Sequence, residues 1–156
     1  MNDAIILLNK TKEAVTGLID GLYQAAKNSG LPIERDALAT EFEAIATYLS
    51  GADNDVSNNE IGMLNFMFDL NLGPADMPQL LSLLNGMYKP LMVDLQMPGW
   101  LIAKALDEAN NFKQATNLYI ATVEIMMQMF SASDGNMDAK EAQFIQEFLN
   151  RLKADR

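Results

Sequence analysis

Ser133-Asp134-Gly135-Asn136-Met137-Asp138-Ala139-Lys140-Glu141 separates two apolar helical runs, and a near copy, Ala52-Asp53-Asn54-Asp55-Val56-Ser57-Asn58-Asn59-Glu60, lies 81 positions earlier. Asp53 falls on Asp134, Asn54 on Gly135, Val56 on Met137, Ser57 on Asp138 and Glu60 on Glu141. The flanks keep the register. Phe42-Glu43-Ala44-Ile45 precedes the first copy and Val123-Glu124-Ile125-Met126 the second, while Ile61, Leu64 and Phe68 answer Ala142, Ile145 and Leu149. This is the pattern of a duplicated helix, acidic turn, helix unit. It predicts an all-α chain: a single compact helical domain of about 6–8 helices with internal pseudo-twofold duplication.

Outward from the turns, the chain divides into a long N-terminal helix (1–30), a first repeat (36–70) and a second repeat (112–154). From Asn2 to Lys27, Leu8, Thr11, Val15, Leu18, Leu22 and Ala25 recur at helical spacing, and Ile5 and Ile19 widen the stripe. Asn28-Ser29-Gly30 closes that helix and Pro32 prevents its resumption. A second helix runs from Asp36 to about Ser50 on an apolar face of Leu38, Phe42, Ile45 and Leu49. A third reaches Asp69 before the break at Asn71 to Pro74. A further helix is expected from Asp76, with Pro90 near its end and a short helical turn over Met92 to Met97. Another spans Trp100 to about Ala109. Phe112 to Ala132 is apolar over much of its circumference and reads as the central, most buried helix. The last helix runs to about Lys153. No stretch sustains the period-two pattern of a strand, so no sheet is expected.

The 156 residues suffice to bury a core without staples. Cysteine and histidine are both absent, which excludes disulfides, thiolate or imidazole zinc sites, cysteine nucleophiles and Ser–His triads. Eleven methionines on apolar helical faces fill the core or line an adaptable partner groove. Trp100 is read as a large core residue, with a surface anchor as the alternative. A net charge of −10 argues against nucleic acid as a partner, because binding there needs a basic footprint. No run is long and apolar enough for direct membrane insertion, and no signal peptide is seen, so a cytoplasmic location is expected. Between Arg35 and Lys89 there is no basic residue, whereas Asp36, Glu41, Glu43, Asp69 and Asp76 are all acidic. The stretch reads as a solvated acidic face or as a field drawing in a cation or a basic partner.

In the two turns, Asp53, Asp55 and Ser57, like Asp134, Asn136 and Asp138, occupy alternate positions, which can aim several oxygens at one hard cation. They are not EF-hands. Counted from Asp134, the sixth position is Ala139 and the twelfth Ile145, where that loop needs Gly and a bidentate Glu. The competing reading is structural: Ser57 with Glu60, and Asp138 with Glu141, have the spacing of capping boxes. A pseudo-twofold would gather Asp53, Glu60, Asp134 and Glu141, a cluster that favours a neutralising cation.

The segment from Ala132 to Glu141, occurring twice about eighty residues apart between apolar helices, resembles the tellurite-resistance TerB family. Asn54 departs from the usual glycine there, and the likeness covers Asp36 to Leu152. The resemblance implies a pseudo-twofold helical domain whose acidic residues bind a divalent metal, of the Ca or Mg/Mn kind, in a bacterial stress-response setting. The metal positions it implies are Asp53, Glu60, Asp134 and Glu141, with Asp55, Asn136 and Asp138 beside them. The expected function is therefore a non-enzymatic binding or adaptor module, with a protein-interaction domain whose turns are only helix caps as the alternative. Its expected partner is a protein, basic or membrane-associated, and the N-terminal helix either packs across the repeats or forms a homodimer.

Overall fold

The computed structural model describes residues 2–51, 58–110, 114–134 and 139–156, with side chains at 2, 4, 50–51, 59, 131–134 and 139–142 left aside. Seven α-helices and one 3-10 turn account for most of the described residues, and no strand occurs among them. In order they are α1 (Asn2–Asn28), α2 (Arg35–Gly51), α3 (Asn58–Phe68), a 3-10 turn (Pro74–Asp76), α4 (Met77–Asp94), α5 (Pro98–Asn110), α6 (Gln114–Asp134) and α7 (Ala139–Asp155). No helix among the described residues is long and apolar enough to cross a membrane.

The periodicity of α1 is realised almost as written. Thr11, Val15, Leu18, Ile19, Leu22 and Ala26 are buried, whereas Ile5 near the helix start is 55% exposed. Gly30, with φ 76°, supplies the left-handed residue that ends the helix, and the Leu31 N–H returns to the Ala26 carbonyl. The chain then turns into α2.

The centre of the molecule is α2, which packs against all six other α-helices. Apart from half-buried Glu43, every residue from Glu41 to Leu49 is buried. α6, the helix expected to be central, packs against α1, α2, α3, α5 and α7. α6 buries Tyr119, Val123, Met126 and Phe130 against α1 and α5, but it leaves Leu118 52% exposed.

Pro90 does not end α4, which continues to Asp94 and so absorbs most of the separate turn expected over Met92 to Met97. A proline removes the bond to the carbonyl four residues back. That carbonyl belongs to Gly86, an exposed residue at which water can take the vacant acceptor. Burial of Met92 beyond the proline favours continuation, and Leu95 (φ 53°) then closes the helix in the left-handed region.

Candidate functional site

The seven expected metal ligands are placed unequally. Asp53, Asp55, Asn136 and Asp138 lie outside the described residues. Asp134 and Glu141 are placed by their backbone alone, as the last residue of α6 and the third of α7. Glu60 is described in full: it is 5% exposed, in the first turn of α3, and it interacts with its surroundings. Among the described residues no group of three or more acidic side chains stands at metal-binding distance.

What the described residues do bring together is the two helix ends from which the turns depart. The ring of Tyr48, near the end of α2, lies 5.4 Å from the ring of Phe144, near the start of α7. At about 1.5 Å rise per residue, both turns begin within about two helical turns of that ring contact. On its other side the Tyr48 hydroxyl donates to Asn85 Oδ1 of α4 at 2.7 Å. Burial pushes the Tyr48 hydroxyl up to about 12, so it stays a donor throughout the physiological range.

A second constellation sits deep in the core and was not foreseen. Glu41 of α2 is 1% exposed. Its Oε1 accepts the Gly99 backbone N–H at 2.7 Å, and its Oε2 lies 2.5 Å from the Tyr119 hydroxyl. The Tyr119 hydroxyl also stands 3.7 Å from Met97 Sδ, and the Tyr119 ring packs on both Phe42 and Trp100. Desolvation pushes the Glu41 carboxyl up to about 7, although hydrogen bonds from Tyr119, Gly99 and Trp100 oppose the rise. Burial favours the neutral acid, whereas the Tyr119 hydroxyl and the Gly99 N–H both donate to the carboxyl and favour its ionised form.

The local sequence explains how this arises. Glu41 falls three residues after Leu38 and four before Ile45, on the apolar face of α2. Pro98 opens α5 with the ring geometry a first helical position favours, and Gly99 follows with its N–H unsatisfied within the helix. The carboxyl of Glu41 takes that N–H. The approach is so close that a Cβ on residue 99 would stand 2.7 Å from Glu41 Oε2. The signal in the sequence was the position of Glu41 on the apolar stripe, together with a glycine just inside a helix start.

A perturbed carboxyl often marks catalysis, but Glu41 is sealed among side chains and borders neither described cavity. Its partners are structural: it fastens α2 to the start of α5 and to the middle of α6. Asp107 acts similarly. From α5 it accepts the Ala115 and Thr116 N–H groups at 2.7 and 2.9 Å, together with the Thr116 hydroxyl, and so caps α6 from a neighbouring helix. Trp100, fully buried, donates its indole N–H to Asp155 at 2.8 Å. That bond, with Lys104 at 2.9 Å, lowers the Asp155 carboxyl and ties the end of α7 to α5.

Between α1, α5 and α6 runs an open groove of about 260 Å³, bordered by Gly17, Gly21, Leu106, Asn110, Gln114 and Leu118. Asp107, the ionisable group in its wall, is already engaged as the cap of α6. The groove thus offers shape but no acid–base chemistry. Set against known proteins, the chain matches no family model, no curated protein and no solved structure.

Proposed function

We propose that this chain is a non-enzymatic binding or adaptor domain whose two acidic turns together take up one divalent cation, of the Ca or Mg/Mn kind. The observation that carries the reading is the contact between Tyr48 and Phe144. It draws the end of α2 to the start of α7, so both acidic segments depart from one end of the bundle. Oxygens from Asp53, Asp55, Asn136 and Asp138 then join Glu60, Asp134 and Glu141 around a shared ion, which neutralises carboxylates that would otherwise repel. The same arrangement supports a pseudo-twofold duplication, in which α2–α3 and α6–α7 are equivalent hairpins and the TerB-like likeness extends to the fold. A bacterial stress-response setting and a basic or membrane-associated partner belong to that likeness. The adaptor reading also accords with a chain lacking histidine and cysteine in which the raised carboxyl of Glu41 is walled into the core.

One observation favours a second reading. α3 begins at Asn58 and α7 at Ala139, so Glu60 and Glu141 each occupy the third helical position, where a capping box places its acid. On that reading the turns only cap helices and the domain binds protein alone. The double variant Asp53→Asn, Asp134→Asn separates the two. Calorimetric titration with Ca²⁺, Mg²⁺ and Mn²⁺ should show heat of binding for the wild type and none for the variant, with helicity by circular dichroism unchanged. No cation heat in the wild type, with helicity kept in Asp53→Asn, Asp134→Asn and lost in Ser57→Ala, Asp138→Ala, establishes the capping reading instead.

A further inference from the structure

We propose that α4, with the adjoining N-terminal half of α2, forms a docking surface for an amphipathic partner helix that carries Lys or Arg beside its apolar stripe. The proposal rests on the adaptor reading but not on the cation.

α4 is a peripheral helix. It packs on α2 and buries Met77, Leu81, Leu84 and Met92, with Leu81 and Leu84 beside Thr47 and Tyr48 of α2. Its next face is apolar as well. Leu80, Leu83, Met87 and Leu91 follow one another at spacings of three, four and four, forming a single ridge about 16 Å long. Leu83 is 54% and Met87 57% exposed, and Leu80 and Leu91 join the ridge to the core. Exposed Gly86 and Pro90 beside it leave room for a second helix to lie close. A row of large side chains exposed along one helix is the form of surface that receives the apolar face of a partner helix.

The charge beside the ridge specifies that partner. Asn85 and Lys89 lie on the opposite flank of α4, where Asn85 meets Tyr48 and the Lys89 ammonium stands over Phe144 at 5.9 Å. On α2, Asp36 and Glu43 lie close enough for their charges to interact, and Glu43 likewise interacts with Tyr88 of α4, the chain neighbour of Met87. Among the described residues the ion pairs are Lys12–Asp69, Arg35–Asp20, Lys104–Asp155 and Lys153–Glu124, and neither Asp36 nor Glu43 takes part in one. Asp94 adds a third acid at the end of α4. Burial, then the proximity of Asp36, pushes the half-buried Glu43 carboxyl up to about 7, and a basic side chain docking beside it would relieve that cost. A second copy of this chain is a poor occupant, because it would bring the same acids to the same face and a net charge of −10.

The test uses a fluorescein-labelled 18-residue Leu/Lys amphipathic helical peptide, a Leu/Glu peptide of the same pattern and a scrambled Leu/Lys peptide, each titrated with the full chain in chelator. Anisotropy should show saturable binding of the Leu/Lys helix alone, weakening as salt rises. Leu83→Ser with Met87→Ser should weaken it at least tenfold while helicity is kept. Asp36→Asn with Glu43→Gln should weaken it and flatten its salt dependence. Equal binding of the scrambled peptide, binding undiminished in Leu83→Ser/Met87→Ser, or no binding by the wild type would each overturn the proposal. So would a wild-type dimer in sedimentation that becomes monomeric in Leu83→Ser/Met87→Ser, since the ridge would then be covered by a second copy. Because the chelator is present throughout, the outcome is independent of cation uptake.

Discussion

Glu41 and Gly99 are matched to each other: Glu41 Oε1 accepts the Gly99 N–H at 2.7 Å, and Oε2 occupies space that any side chain at 99 would need. A side chain at the second position of α5 would therefore displace the carboxyl that holds the helix start, and that carboxyl is desolvated where it stands. Gly99→Ala should lower stability by about 1–3 kcal/mol, the usual cost of overpacking a filled core. Urea denaturation followed by Trp100 fluorescence measures it, since Trp100 is the next residue and is fully buried. A stability equal to wild type would show that Glu41 moves aside freely.

The raised Glu41 carboxyl makes stability depend on pH with a definite sign. Its folded value, about 7, exceeds the ordinary value of 4.5, so the folded state holds the proton more tightly than the unfolded chain. Its contribution is fully present below pH 4.5, declines as pH rises toward 7 and is gone above it. The full decline is on the order of 3 kcal/mol at about 1.4 kcal/mol per unit. Glu43, raised in the same direction but half-exposed, adds a smaller slope over the same window. Glu41→Gln should keep both hydrogen bonds, with the amide oxygen on Gly99 and the amide N–H on Tyr119, and should flatten the profile. Denaturation midpoints between pH 4.5 and 8 test this, and an equally steep profile in Glu41→Gln would contradict it.

Removal of the Tyr119 hydroxyl should be felt at the same place. Tyr119→Phe leaves one oxygen of a buried carboxyl without its partner, which costs about 1–3 kcal/mol. The loss should be greater at pH 8 than at pH 5, because the ionised carboxylate needs the donor more than the neutral acid does. Chemical denaturation at the two pH values gives the difference. An equal loss at both would mean that the hydroxyl serves packing alone.

The helices were legible in the sequence because their apolar positions recur at three and four, as Val15, Leu18, Leu22 and Ala26 do in α1. Local rules failed where tertiary packing overrides them. Pro90 reads as a helix end, but burial of Met92 carries α4 past it. Glu41 reads as one more acid in an acidic stretch, and only its register with Leu38 and Ile45 hints that it lies inside. Glu43, two residues on, remains half-exposed; a two-residue advance along a helix separates a core acid from one at the surface. Of the candidate metal site, the sequence shows the repeated acidic spacing, whereas the meeting of α2 and α7 through Tyr48 and Phe144 depends on how the helices pack and has no local signature.

Asp107 provides a control remote from both acidic turns. Its carboxylate holds the first turn of α6 through Ala115 and Thr116. Asp107→Ala should cost about 1–2 kcal/mol, the range for a lost N-cap. Thermal denaturation should show the lowered midpoint, and any cation-induced rise should be the same size as in the wild type. A cation response that vanished with Asp107→Ala would place the ion at the wrong end of the molecule.

The most direct test of the account is thermal unfolding of the wild-type chain in chelator and then with Ca²⁺, Mg²⁺ or Mn²⁺, followed by circular dichroism. A cation that binds only the folded state adds about 2.7 kcal/mol at a hundredfold excess over its dissociation constant. The midpoint should therefore rise for at least one of these ions in the wild type, and not in Asp53→Asn, Asp134→Asn. A midpoint that none of the three ions moves would contradict a shared metal site and leave the two turns as helix caps.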